Sequence, residues 1–192
     1  RSHLRNRRLL AACAVGFCVL FSLVGTFTYV NFLLAAPPFE LSTASLANIF
    51  MVYLIGVVVT PLAGRGISRL GFARSLAWAL MAASCGLLLT LLPSVAAIVF
   101  GLILCSSGVF VCQTATISFI ATSVSEGRSL ATGLYNMCYY AGGAASTGFV
   151  GLAFEGWGWQ GAVLVLVGVQ LLAAGIASVG WRVPLQNAPG GG

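Results

Sequence analysis

Charge is what this chain has least of. Its 192 residues include nine arginines and three glutamates, with no lysine and no aspartate, and charged residues make up 6% of the sequence. A soluble domain carries about a quarter. With 59% hydrophobic residues and a mean hydropathy of +1.03, no water-facing surface can be built around a core. The single histidine, His3, lies in the basic segment at the start, so the long apolar runs that follow contain none. Well inside those runs there is also no Asp, Glu or Arg. Proton relays and ion-coupled sites use intramembrane ionisable groups, and a membrane protease needs histidine or paired carboxylates. The sequence therefore predicts neither an enzyme nor a self-contained pump. Cysteine gives no metal chemistry: Cys13, Cys18, Cys85, Cys105, Cys112 and Cys138 fall in apolar runs without ligand spacing and read as small packing residues. No cofactor and no metal are expected.

The charge-free runs are 9–39, 41–64, 75–125, 129–154 and 156–181. A hydrocarbon core of about 30 Å needs roughly 20 apolar residues as helix. The third run is twice that length and is broken by Leu92-Pro93-Ser94. The expectation is an all-α membrane protein with six transmembrane helices, at about 9–35, 45–63, 75–92, 95–122, 129–152 and 160–180. Residues 1–8 form a basic segment before the 9–183 bundle, and the Pro- and Gly-ended stretch 184–192 reads as a disordered tail. The first run is too long for a signal-peptide core and lacks a cleavage site. A chain that starts at Arg1 reads as a piece of a longer protein.

Arginines occur before the first span (Arg1, Arg5, Arg7, Arg8), between the second and third (Arg65, Arg69, Arg74), between the fourth and fifth (Arg128), and after the sixth (Arg182). Counting crossings puts them all on one side, opposite Glu40 and Glu155. Cytoplasmic loops collect arginine, so both termini are expected in the cytoplasm. The positive charge faces lipid headgroups, not nucleic acid. Trp78, Trp157, Trp159 and Trp181 mark the same span ends, as interfacial rings do. Gly161, Gly168 and Gly175 recur every seven residues, and 142–148 is a zone of small residues. Both read as surfaces of close helix approach.

Neutral polar residues remain inside the spans: Tyr29 and Asn31 in the first, Asn48 and Tyr53 in the second, Gln113, Thr114 and Thr116 in the fourth, and Tyr135, Asn136, Tyr139 and Tyr140 in the fifth. Amides in hydrocarbon need partners. Interhelical hydrogen bonds and the wall of an aqueous cavity both supply them. Ser106 shares a helix face with Gln113, and Asn136 shares one with Tyr140 and Gly143. Gln170, alone in the last span, reads as structural.

Between the second and third spans the chain reads Gly64-Arg65-Gly66-Ile67-Ser68-Arg69-Leu70-Gly71-Phe72-Ala73-Arg74. This resembles the Gly-x-x-x-Asp-Arg-x-Gly-Arg loop of the major facilitator superfamily, in the weaker copy between helices eight and nine. Gly64, Arg69 and Gly71 match, Ser68 replaces the Asp, Phe72 replaces the next Arg, and Arg74 comes late. Gly133-Leu134-Tyr135-Asn136 through Tyr139-Tyr140-Ala141-Gly142-Gly143, then Gly156-Trp157-Gly158-Trp159, look like helix eleven and its outer loop in the drug- and sugar-efflux branch. The resemblance covers residues 1 to about 183.

It implies the carboxy-terminal half of a twelve-helix fold, built from two inverted three-helix repeats and lacking its amino-terminal six-helix partner. Spans one, two, four and five would then face the cavity, with three and six peripheral. The implied substrate-cavity residues are Tyr29, Asn31, Gln113, Asn136, Tyr139 and Tyr140. The implied gating residues are Gly64, Arg65, Ser68, Arg69, Gly71 and Arg74. The implied activity is proton-driven efflux of a small organic solute by alternating access, in a bacterial inner membrane. Aromatic and amide groups without fixed charge suit a neutral or amphipathic solute. A six-helix channel or a non-transporting scaffold is the alternative, although no carbonyl-filter sequence is present.

Overall fold

The computed structural model of the chain describes residues 7–123 and 127–180. The expectations for residues 1–6, for Trp181 and Arg182 and for the tail 184–192 concern residues outside these. All regular structure among the described residues is helical, as apolar chains in lipid require, since a helix satisfies its backbone groups within itself. Helix α1 is Arg7–Ala35, α2 is Thr43–Leu70, α3 is Phe72–Leu89, α4 is Val95–Ser123, and α5 is Arg128–Gly180. These are five helices long and apolar enough to cross a membrane.

Helix α5 has 53 residues, about 80 Å if straight at 1.5 Å per residue, far beyond a bilayer of about 30 Å. Its backbone leaves helical geometry at Trp157 (φ −135°, ψ 16°) and Gly158 (φ 63°, ψ −154°). Gly158 supplies the positive φ that other residues resist. The chain reverses there. The first arm (128–156) runs parallel to α1, with Gly16 against Tyr135, Gly142 against Phe17, and Gly25 against Val150. The second arm (159–180) runs back antiparallel, with Gly25 against Leu166 and Gly180 against Ala11. Helix α1 is thereby enclosed by both arms and is the most buried of the five, while α2 is the least.

Helices α3 and α4 pack backbone to backbone. A methyl group at Gly86 would lie 2.5 Å from the Gly101 carbonyl oxygen, and one at Gly108 would overlap the Ala79 carbonyl. Two side-chain bonds tie α3 to the second arm of α5. Trp159 Nε1 donates to Thr90 Oγ1 at 2.9 Å, and Ser84 Oγ donates to Gln170 Oε1 at 2.7 Å. Gln170 is thus an interhelical linker. Ser84→Ala is expected to lower stability by about 0.6 kcal/mol, the average for such bonds in membranes. Adding Gln170→Leu should recover most of that loss, because the stranded amide goes too. Thermal melts of the single and double variants check this.

Three expectations about boundaries need correcting. The stretch expected as a loop, 65–74, is helical up to Leu70 and breaks only at Gly71, where φ is +81°. Gly64, Arg65, Ser68 and Arg69 therefore stand on the last turns of α2. Arginine is a good helix former, no proline interrupts 62–70, and Ser68 Oγ bonds the Arg65 carbonyl at 2.8 Å. The third span starts three residues early because α3 begins directly after Gly71, whose carbonyl accepts from the Ser75 N–H at 3.1 Å. It ends at Leu89, where the Thr90 hydroxyl bonds the Leu87 carbonyl at 2.5 Å. The link expected between the fifth and sixth spans shrinks to two non-helical residues.

The seven-residue glycine pattern divides. Gly161 lies against Ala153 and Trp157, but Gly168 and Gly175 have no neighbour within 4 Å where a side chain would stand.

The two ends of the bundle differ in charge. Arg7, Arg8, Arg65, Arg69, Arg74 and Arg128 lie at helix ends on one side, where Ser178 neighbours Arg74 and Gly180 neighbours Arg7. Glu40 follows the far end of α1, and Glu155 precedes the reversal in α5. At that end Leu33, Phe39, Leu92 and Trp157 converge on one cavity.

Candidate functional site

The first arm of α5 carries the densest set of candidates. Tyr135 and Tyr139, four apart, share one face and stack at 5.7 Å. Both are buried, and the ring of Tyr135 occupies the space left by Gly16 on α1. Asn136 and Tyr140, also four apart, point the other way and are exposed, Tyr140 to 68%. Tyr139 meets Tyr140 edge-on at 5.6 Å. The two adjacent tyrosines expected in one cavity therefore part: Tyr139 joins the core, and Tyr140 joins an outward strip with Thr132 and Asn136. Such groups are costly against lipid tails and belong where water or another polar surface meets them.

Near the arginine end, a cavity of about 150 Å³ opens between α4 and this arm, lined by Ile117, Ile120, Arg128, Thr132, Tyr135 and Asn136. Drug-sized ligands occupy clefts of about 300–1,000 Å³, more than this cavity provides. The Tyr135 hydroxyl has no hydrogen-bond partner among the described residues. Tyr135 was not among the expected site residues. Its position beside Asn136 was the available signal. Gln113 is half-buried on α4, one turn before Ile117 and outside the cavity lining.

Tyr29 and Asn31 lie elsewhere, toward the glutamate end. The Tyr29 hydroxyl donates to the Thr147 carbonyl of α5, in space that Gly151 leaves open. Its ring packs on Phe154 at 5.4 Å and Phe32 at 5.9 Å. Asn31 Nδ2 donates to the Phe27 carbonyl of its own helix at 2.7 Å, while its Oδ1 is buried without a partner among the described residues. Tyr29 sits level with Thr147, eleven residues from Asn136, or about 16 Å along a helix. The six expected cavity residues do not form one cluster. A second aromatic group joins three helices: Tyr53 of α2 lies 4.3 Å from Phe27 of α1 and 6.4 Å from Phe110 of α4.

Of the motif residues, Arg65, Ser68 and Arg69 are exposed, and Gly64 and Gly71 face open space. Arg69, in the last turn of α2, complements the partial negative charge of that helix end. Arg74, at the start of α3, borders a cavity of about 240 Å³ shared with Ala174 and Ser178. Among the described residues no group of His, Cys, Asp or Glu is arranged to hold a metal.

Residues 1–147 match the family model described as Major Facilitator Superfamily. The chain is 29% identical over 171 residues to the uncharacterized MFS-type transporter YybF of Bacillus subtilis (strain 168), covering 89% of this chain and 42% of that protein. It is 32% identical over 159 residues to an uncharacterized transporter of Buchnera aphidicola subsp. Schizaphis graminum, covering 83% and 38%. It is 28% identical over 169 residues to the 2-nitroimidazole transporter of Escherichia coli (strain K12), covering 83% and 43%. The crystal structure of the POT family transporter PepTSo has a similar fold, with a TM-score of 0.79 at 20% identity over 97% of this chain and 40% of that one. The chain spans about two fifths of the length of the relatives it matches.

Proposed function

The chain belongs to the Major Facilitator Superfamily, and from that premise we propose that it is the carboxy-terminal half of a secondary active transporter for small, uncharged or amphipathic organic solutes. Membrane transport is the activity named for its relatives. In this reading the two arms of α5 are separate crossings, giving six in all as two inverted repeats of three. An even number returns both ends to one face, and the arginines gathered there make that face cytoplasmic, in a bacterial inner membrane.

The observation that carries the solute class is the outward strip Thr132, Asn136 and Tyr140, polar but uncharged, on the first arm of α5. It faces the amino-terminal six-helix partner, and the solute cavity lies between the two halves. Gln113 and the small cavity beside Tyr135 extend that surface, while Tyr29 and Tyr139 hold the helices that present it, and Asn31 bonds within its own helix. Solutes are recognised by aromatic contact and single hydrogen bonds. A planar heteroaromatic such as 2-nitroimidazole, which gives one relative its name, has that character. A proton-coupling carboxylate then belongs to the amino-terminal half, and efflux is the direction that the drug-export resemblance favours. At the cytoplasmic ends of α2 and α3, Gly64, Arg65, Ser68, Arg69, Gly71 and Arg74 form the gating element. It acts through helix-end contacts with the other half rather than through a flexible loop.

The test is transport by the full-length protein in proteoliposomes, with radiolabelled 2-nitroimidazole and an imposed proton gradient. Saturable, gradient-dependent flux with counterflow is expected. Conductance without saturation would point to a channel, and no flux across a panel of small heteroaromatics would point to a scaffold.

A further inference from the structure

A large groove lies on the outside of the described bundle, between the first described turns of α1 and the second arm of α5. It encloses about 930 Å³, and its lining includes Arg7, Arg8, Ala11, Leu172, Gly175 and Val179. Apart from the two arginines, every lining residue is apolar. Gly175 leaves its floor open, with nothing within 4 Å.

Its length has a physical meaning. The second arm lines it from Leu171 to Gly180, about 13 Å along the helix axis. One leaflet of hydrocarbon is about 15 Å deep, half of the core. The groove therefore runs from the arginine end of the bundle to about the bilayer midplane. An apolar trough one leaflet deep accepts an acyl chain, and its mouth then stands at the headgroup level.

Charge at the mouth selects the headgroup. Arg7 and Arg8 are exposed there, and the first described turn of α1 contains no acidic residue. Among the described residues, the acidic side chains Glu40 and Glu155 lie at the opposite end of the bundle. Guanidinium groups bind phosphate oxygens through paired hydrogen bonds.

We infer that this groove is a binding site for an anionic phospholipid, with one acyl chain along Leu172, Gly175 and Val179 and the phosphate on Arg7 and Arg8. The inference needs a bilayer around the arginine end, and does not depend on solute or transport direction.

Native mass spectrometry of the full-length protein, released from detergent containing equimolar phosphatidylglycerol and phosphatidylcholine, tests it. Roughly thirtyfold preferential retention of phosphatidylglycerol is expected for two arginines at a membrane surface. Arg7→Gln/Arg8→Gln should abolish the preference, and Arg7→Lys/Arg8→Lys should keep most of it. Gly175→Phe, filling the trough at an outward position, should reduce retention of both lipids while elution and melting stay as in wild type. Equal retention of the two lipids by wild type would overturn the inference. So would an unchanged preference in the glutamine variant, competition by glycerol phosphate as strong as by the lipid, or a trough filled by another part of the protein, seen as no retained lipid and no effect of Gly175→Phe.

Discussion

Gly142→Leu is expected to destroy the bundle. Any side chain at this position overlaps the Phe17 carbonyl oxygen, and a methyl group there would lie 2.8 Å from its carbonyl carbon. The obstacle is main chain, so no rotamer change relieves it, and α1 and the first arm of α5 must move apart. That movement loosens the whole line of contact, including Gly143 on Leu20 and Gly25 on Val150, along the most enclosed helix. The cost is about 3 kcal/mol or more, at the top of the overpacking range. Gly148→Leu on the same arm enters open space and should change stability by no more than about 0.5 kcal/mol. Fluorescence-detected size exclusion with thermal challenge distinguishes the two. Wild-type behaviour of Gly142→Leu would mean that these helices do not touch as described.

Asn136→Leu and Tyr140→Leu should separate folding from transport. Both side chains are exposed on the first arm of α5, so melting should stay within about 0.5 kcal/mol of wild type. If these groups face solute, each loses a hydrogen bond worth about 1.4 kcal/mol, or roughly tenfold in kcat/KM. The double variant should fall further. Leu164→Ala, 74% exposed on the second arm, is the control and should transport normally. Unimpaired transport by Asn136→Leu would mean that the strip meets lipid, removing the main support for the solute class.

How much of this was legible depends on what hydropathy measures. Apolar runs and arginine clusters locate the hydrocarbon, so an all-helical chain with membrane-length helices was legible, and every described arginine fell at one end. Hydropathy does not register backbone hydrogen bonding, which continues through the headgroup layer. That is why Arg65 and Ser68 were assigned to a loop when they stand on a helix. Glycine spacing was ambiguous for a related reason. Gly101 and Gly108 repeat at seven like Gly168 and Gly175, yet only the first pair meets another backbone, because a repeat specifies a stripe and not its neighbour. Adjacent Tyr139 and Tyr140 looked equivalent as polar residues. One step along a helix turns the side chain by about 100°, enough to send one into the core and the other out of it.

The single non-helical residue at Gly71 leaves α2 and α3 no slack. Leu70 and Phe72 can never be more than two Cα–Cα steps apart, about 7 Å, however the helices tilt. Such a joint swivels without stretching, so a change in the lean of α2 is delivered to α3 as torque instead of being absorbed by a slack tether. Lengthening this linkage by a few glycines would uncouple the pair without altering either helix.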